Sequence, residues 1–314
     1  MIYKIAAICI DAYFWLRHAI LILRNDATLG DNLCMTAIVS AGQKSKNRQK
    51  LWVASHRKEF FINNPHIDRF IDLQATSKLG FKILSRVAMR GESKRVQVFD
   101  YKKNEKYSTY LMQARLTGEK KSLIDYNTQH FRKQNIAIHQ SPKLYINEAE
   151  RKKVTSRYNL KNGFAILHSA GKTNWTVHKE WGVHNFNELV QRTPYINWVQ
   201  VGHPSDPLLE GVIDARELSV REMAALISAS DFVFCQEGLL NHIAAATNRT
   251  SIVLFTFMDS SLAEYDTTIP VHVHKDLHCA PCWNARRCQH QSVLCSEDIT
   301  VELVKRQIDC IDKH

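Results

Sequence analysis

Short apolar runs alternate with helical patterns along almost the whole chain, and this alternation limits the fold more than any other feature. In the first half the strand candidates are AILILR (19–24), LWVAS (51–55), RFIDL (69–73), VQVFD (96–100), SLIDY (122–126) and LYI (144–146). The second half adds FAILHS (164–169), NWVQVG (197–202), GVIDA (211–215), DFVFC (231–235), SIVLF (251–255) and VHVH (271–274). Helical patterns fall between many of them, such as NFNELVQR (185–192), VREMAALISA (220–229) and NHIAAAT (241–247). Strands of Val, Ile, Leu and Phe alternating with helices predict parallel sheets covered on both faces.

A chain of 314 residues is long for one such unit and comfortable for two. The polar stretch NEAERKKVTSRYNLKNG (147–163) holds no apolar strand, and the charge changes sign beside it. Residues 1–160 carry 29 Lys and Arg against 13 Asp and Glu; residues 161–314 carry 13 against 18. The expected division is therefore a basic domain over 1–155 and a second domain over 156–314, whose last helix is a candidate to pack back on the first. The fold class is α/β, two doubly wound Rossmann-like domains facing each other across a cleft. Ligands of such sheets sit at the carboxyl ends of the strands. The basic half should meet something anionic: nucleic acid, an anionic membrane face or an acidic glycolipid. Neither G-x-G-x-x-G nor G-x-x-x-x-G-K-[ST] occurs, so neither a dinucleotide fingerprint nor a P-loop is supported.

The opening MIYKIAAICIDAYFWLRHAILIL is interrupted by Lys4, Asp11, Arg17 and His18, and its uninterrupted pieces fall short of the ~20 residues of a spanning helix. It reads as a helix over about 2–17 leading into the first strand, packed on its own domain or touching a membrane surface. Of the eight cysteines, Cys9, Cys34 and Cys235 stand alone, whereas four crowd into seventeen residues. That placement favours a reducing, cytoplasmic compartment over a disulfide framework.

Four segments carry candidate chemistry. In TLGDNLC (28–34), Asp31 either caps a helix or acts as a general base, and Gly30 permits a tight turn beside a ligand. In HSAGKTNWTVHKEWGVHNFNEL (168–189), the strand end Ser169-Ala170-Gly171 with Lys172 and Lys179 suits a phosphate; the alternative is a solvated loop with a packed Trp181. In DFVFCQEGLLNHIAAAT (231–247), a helix start at Glu237, Gly238 and Leu239 could face an anion, with His242 as a ligand contact or a core histidine. In CAPCWNARRCQHQSVLC, Cys279, Cys282, Cys288 and Cys295 are spaced C-x2-C-x5-C-x6-C. Four thiols could close a tetrahedral zinc or iron site; free thiols or two disulfides are the alternatives.

In this order the segments resemble glycosyltransferase family 9, the bacterial heptosyltransferases of the lipopolysaccharide inner core. TLGDNLCMTAI is similar to that family's LGD segment, NPHIDRFIDL (64–73) to a segment of its first domain, and KEWGVHNFNEL to its K-x-W motif. EGLLNHIAAA aligns with D-[ST]-G-x-x-H-x-x-A-A through His242, with two departures: Glu237 stands for Asp, and Gly238 falls one position early. CAPCW…C…C followed by ITVELV is similar to the C-terminal cysteine segment of many members.

The resemblance, over about residues 19–308, implies a GT-B arrangement with inversion at the anomeric carbon and no cofactor for the chemistry. Asp31 is then the base. Lys179, Lys172 and the Ser169–Gly171 backbone receive the donor diphosphate, with Glu237, Gly238, Leu239 and His242 beside them. Gly202 and His203, in QVGHPSD (200–206), are expected near the adenosine. Gly30, Arg57, Lys102 and Lys103 are expected on the acceptor side, with the basic run from Lys78 to Lys133 facing an anionic acceptor or forming a solvated face. Implied partners are ADP-heptose, an anionic glycolipid or glycan, and the cytoplasmic face of the inner membrane, with no nucleic acid. A structural zinc or iron at the cysteines, lying after the last active-site motif, should matter more for stability than for chemistry. Two other readings are a protein O-heptosyltransferase with an iron-binding cysteine finger, and a binding protein on a degenerate transferase scaffold or a basic nucleic-acid binder. The cysteine cluster lies in the acidic half, against nucleic acid.

Overall fold

The computed structural model describes residues 2–24, 28–39, 50–75, 82–84, 86–87, 93, 95–99, 122–128, 138–161, 163–170, 176–284 and 286–311. The chain forms two compact units, Met1–Tyr145 and Ile146–His314.

The first unit contains α1 (Ile2–Leu16), β1 (Ala19–Leu23), α2 (Leu29–Cys34), α3 (Thr36–Val39), β2 (Lys50–Ser55), β3 (Arg69–Asp72), β4 (Val96–Val98) and α4 (Leu123–Thr128). Among the described residues, its four strands are parallel in the order β3-β2-β1-β4. Every residue of β1 is buried, which is why AILIL reads as an unbroken apolar run. Phe14 of α1 meets Trp52 of β2 edge to face at 5.4 Å and closes one side of the sheet.

The second unit contains α5 (Glu148–Arg157), β5 (Ala165–His168), α6 (Val183–Arg192), β6 (Trp198–Val201), β7 (Ile213–Ala215), α7 (Val220–Ala229), β8 (Phe232–Gln236), α8 (Leu239–Ala246), β9 (Thr250–Leu254), β10 (Thr268–Val271), α9 (Leu294–Glu297) and α10 (Val301–Ile311). The six strands are parallel in the order β10-β9-β8-β5-β6-β7. Counted within the unit, this is the doubly wound order whose direction reverses between its first and fourth strands, β5 and β8. The first unit has the same arrangement at β1 and β4, so among the described residues each unit shows one switch point.

Several sequence expectations need correction. SLIDY (122–126) starts a helix rather than a strand: Ser122 Oγ accepts from the Asp125 N–H at 3.1 Å and donates to its carboxylate at 3.0 Å. This S-x-x-D box overrides the apolar count. LYI (144–146) is irregular and spans the division between the units. The division falls after Tyr145, not after 155, because Asn147 and Glu150 form a capping box that starts α5. Arg221 of α7 then binds Glu150 at 2.7 Å and ties α5 into the second unit; that hydrogen bond, outweighing burial, holds the Glu150 carboxyl below its ordinary range. VHVH is largely displaced: β10 ends at Val271, where its partner β9 ends at Leu254. Within the second unit the last helix, α10, packs on α6, where Arg192 pairs with Glu302, and Tyr195 donates to Asp309 at 2.6 Å.

Candidate functional site

At the switch point of the first unit, β1 is followed directly by a charged residue. Arg24 is fully buried; one arm of its guanidinium donates to the Phe99 carbonyl just past β4 at 3.0 Å. The other arm lies 3.0 Å from Asp31 Oδ2 and 3.3 Å from the Thr28 hydroxyl. Thr28, not Asp31, holds the N-cap position of α2, and its hydroxyl donates to Asp31 Oδ2 at 3.0 Å. The capping alternative for Asp31 is therefore replaced by a different one, a carboxylate paired to a buried cation. Both contacts fall on Oδ2; Oδ1 has no hydrogen bond among the described residues, and the side chain is 18% exposed.

Asn32 fixes the start of α2 from below. Its amide donates to the Thr28 carbonyl at 2.6 Å and accepts from Ser55 at 2.7 Å, while Ser55 Oγ accepts from the Arg57 N–H at 3.0 Å. Thus the start of α2, which carries Gly30 and Asp31, is joined through Asn32 and Ser55 to the end of β2 and the Arg57 backbone. The Arg57 guanidinium lies 3.6 Å from Glu59, so part of its charge is offset locally. Lys102 and Lys103 lie outside the described residues, as does most of the basic run; Arg86 within it bonds the Tyr3 hydroxyl at 2.7 Å.

At the switch point of the second unit, Ser169 follows β5 and Glu237 follows β8. Ser169 is buried and its hydroxyl accepts from Gln200 at 3.0 Å; Gln200 also donates to the Pro207 carbonyl at 2.8 Å and fixes the loop after β6. Gly171 and Lys172 lie outside the described residues. The Lys179 ammonium pairs with the Glu237 carboxylate and donates to the Glu237 carbonyl at 3.3 Å. Burial pushes the Glu237 carboxyl up, but the Lys179 charge and hydrogen bond, helped by His242, outweigh it and hold the carboxyl below its ordinary range. Gly238 and Leu239 open α8. His242 is buried one turn on, with Nδ1 2.6 Å from the Tyr265 hydroxyl, so the core-histidine alternative has a partner.

In the QVGHPSD loop, Gly202 has φ +147°, and an added Cβ would stand 2.4 Å from Asp206 Oδ2 and 3.1 Å from the His168 ring. Asp206 accepts from the His203 N–H at 2.7 Å and lies 3.8 Å from His168 Nε2. The facing His168 side chain is the main influence that, against burial, holds its carboxyl below the ordinary range. Among these groups Arg24, His168, Gln200, Asp206 and Tyr265 escaped sequence reasoning. Arg24 alone carried a signal, a cation ending an otherwise apolar buried run.

Cys279, Cys282, Cys288 and Cys295 all line one cavity of about 70 Å³, together with His178 and Phe257. Burial, then the neighbouring Cys282, Cys288 and Cys279, pushes the Cys295 thiol up to about 12. The donor set fits a thiophilic ion. Among the described residues, however, no three such ligands stand together at binding positions, so an ion would have to draw the loop inward. The loop also grips the segment that carries Lys179. His178 Nδ1 lies 2.8 Å from the Asn284 carbonyl, Ser296 donates to the Glu180 carbonyl, and the Trp181 indole donates to the Ile299 carbonyl at 2.6 Å.

No protein-family model matches the sequence, and no curated protein is similar to it in sequence. Solved structures are similar in fold. The glycosyl transferase family 9 protein from Veillonella parvula DSM 2008 has a TM-score of 0.69 at 14% identity, over 94% of this chain and 97% of that one. Escherichia coli ADP-heptose LPS heptosyltransferase II has 0.63 at 12%, over 93% and 98%. The iron-containing dodecameric glycosyltransferase TibC from enterotoxigenic E. coli H10407 has 0.64 at 13%, over 94% and 76%. With two parallel sheets that each reverse order beside a candidate segment, the chain has the heptosyltransferase-like fold of glycosyltransferase family 9, two Rossmann-like domains of the GT-B class.

Proposed function

We propose that the protein is an inverting glycosyltransferase that moves a heptose or related sugar from an ADP-activated donor to an anionic bacterial surface glycan. One observation carries this reading: Asp31 in one unit, and Ser169 with Glu237 in the other, follow the strands that flank the two switch points. Those are the positions at which doubly wound sheets bind ligands.

An acceptor hydroxyl is a poor nucleophile until a base takes its proton. Asp31 Oδ1 would accept that proton while Arg24 and Thr28 hold Oδ2, a contribution of typically ~10²–10⁴-fold. The departing diphosphate gathers negative charge, which Lys179 and the first amides of α8 would offset without a divalent cation. A diphosphate reaching Lys179 would displace the Glu237 carboxylate or share the ammonium with it. The basic first unit suits an acceptor bearing carboxylates and phosphates, at the cytoplasmic face of the inner membrane.

A thermal-shift series of nucleoside diphosphates tests the donor class, because a ligand of the native state raises apparent stability by mass action. Stabilisation by ADP over UDP and GDP is expected; no response to any of them would overturn the reading. A second reading keeps the donor chemistry and transfers the sugar to a protein acceptor; the four thiols around one cavity and the iron named for the TibC structure bear on the metal rather than on the acceptor. On either reading Cys279, Cys282, Cys288 and Cys295 would hold a zinc or iron ion, which supplies a cross-link of the loop. An assay with lipopolysaccharide-core and protein acceptors separates the two.

A further inference from the structure

Helix α1 buries Ala7 and Phe14 against the sheet and turns an apolar stripe outward. Ile5 is 56% exposed, Ile8 70%, Trp15 65% and Leu16 74%. With exposed Cys9 and Ala12 they fall at helical i, i+3, i+4 spacing on one side, along a helix of about 22 Å. The helix's one acid, Asp11, faces inward, where its Oδ1 accepts from Ser93 Oγ at 2.5 Å and the Arg95 N–H at 3.1 Å. The flanks are cationic. Lys4 is exposed beside the stripe, Arg17 follows its end with its guanidinium 3.8 Å from the Tyr13 ring centre, and Arg86 bonds Tyr3.

A continuous apolar stripe of this size marks an interaction surface. Charge decides what fits it. Residues 1–145 hold 25 Lys and Arg against 11 Asp and Glu. A two-fold contact between copies would bring the cations Lys4, Arg17 and Arg86 of one copy toward those of the other, a repulsive arrangement. An anionic lipid surface complements the same cations, and Trp and Arg are favoured where hydrocarbon meets headgroups. The helix has fifteen residues, and among the described residues no helix is long and apolar enough to cross a membrane. We propose that α1 is an interfacial helix, laying its Ile5, Ile8, Trp15 and Leu16 face into the surface of a bilayer that contains anionic lipid. This holds independently of the glycosyl-transfer reading.

Co-sedimentation of the full chain with phosphatidylglycerol–phosphatidylcholine vesicles, and with phosphatidylcholine alone, is the test. Wild type should bind the anionic vesicles, less so as salt rises. The double variants Ile8→Gln with Trp15→Gln, and Lys4→Glu with Arg17→Glu, should each bind about tenfold more weakly or less. These side chains are exposed, so melting temperatures should stay near wild type; a collapse in one pair leaves the other to decide. Equal binding to both vesicle types, or to neither, would overturn the proposal. So would a wild-type dimer in sedimentation equilibrium that the Ile8→Gln, Trp15→Gln variant dissolves, since the stripe would then be a self-association face.

Discussion

The buried guanidinium of Arg24 lies 3.0 Å from the Asp31 carboxylate while its other arm holds the Phe99 carbonyl, so one side chain joins two strand ends to the start of α2. Asp31→Asn keeps an oxygen for Arg24 but removes the proton acceptor. Turnover should fall roughly 10²-fold or more, with ADP affinity unchanged. The melting temperature should fall too, because a buried cation loses its counter-charge, and further still in Asp31→Ala. Full activity in folded Asp31→Asn would leave the carboxylate only the task of holding Arg24.

The Lys179–Glu237 pair should show itself in the pH dependence of stability. An unfolded glutamate titrates near 4.5, whereas folding holds Glu237 lower despite its burial. Between the two values the unfolded chain binds more protons, so the pair's stabilisation is present above about 4.5 and fades as pH falls through the folded value. In Lys179→Ala burial becomes the leading influence and the sign reverses: stability relative to wild type should drop as pH rises past the ordinary glutamate range. Chemical denaturation across pH 3 to 7 reads the difference on a scale of about one proton. Calorimetry should also show weaker ADP binding; equal affinity would move the diphosphate role to Lys172 or to backbone amides.

Elemental analysis of protein purified without chelator should find about one zinc or iron ion per chain, as four thiols in a closed site require. The grip of Asn284, Ser296 and Ile299 on residues 178–181 gives such an ion a route to the donor site beside its greater expected weight on stability. Cys282→Ser with Cys288→Ser should weaken ADP binding by roughly two- to tenfold, the scale of leaving one long side chain to be ordered on binding. Unchanged ADP affinity in the folded, metal-free variant would confine the cluster to stability.

Gly202→Ala should destabilise the second unit by about 1–3 kcal/mol, since its φ of +147° suits glycine and the new Cβ meets Asp206 at 2.4 Å. Gly211→Ala is the comparison: its φ is +75°, but the nearest atom to the new Cβ is 3.9 Å away. Thermal melts should place Gly202→Ala clearly below Gly211→Ala. Equal melting temperatures would mean that the loop yields without cost.

The sequence by itself determined the strands whose both faces are buried, because AILIL (19–23), FVFC (232–235) and IVL (252–254) leave no polar position for solvent. It also marked Asp31, Lys179, Glu237 and the four cysteines, since residue type and spacing limit the chemistry. It misjudged SLIDY and LYI, where a capping box and a connection between units outweigh apolar content. Tertiary structure alone decided the strand order, and with it which strand ends meet. It brought Lys179 to Glu237 across 58 residues and His178 to Asn284 across 106, and it buried Arg24 beside Asp31. Such pairs have no local signature. Their energy comes from desolvation and approach, which exist only after distant segments have packed together.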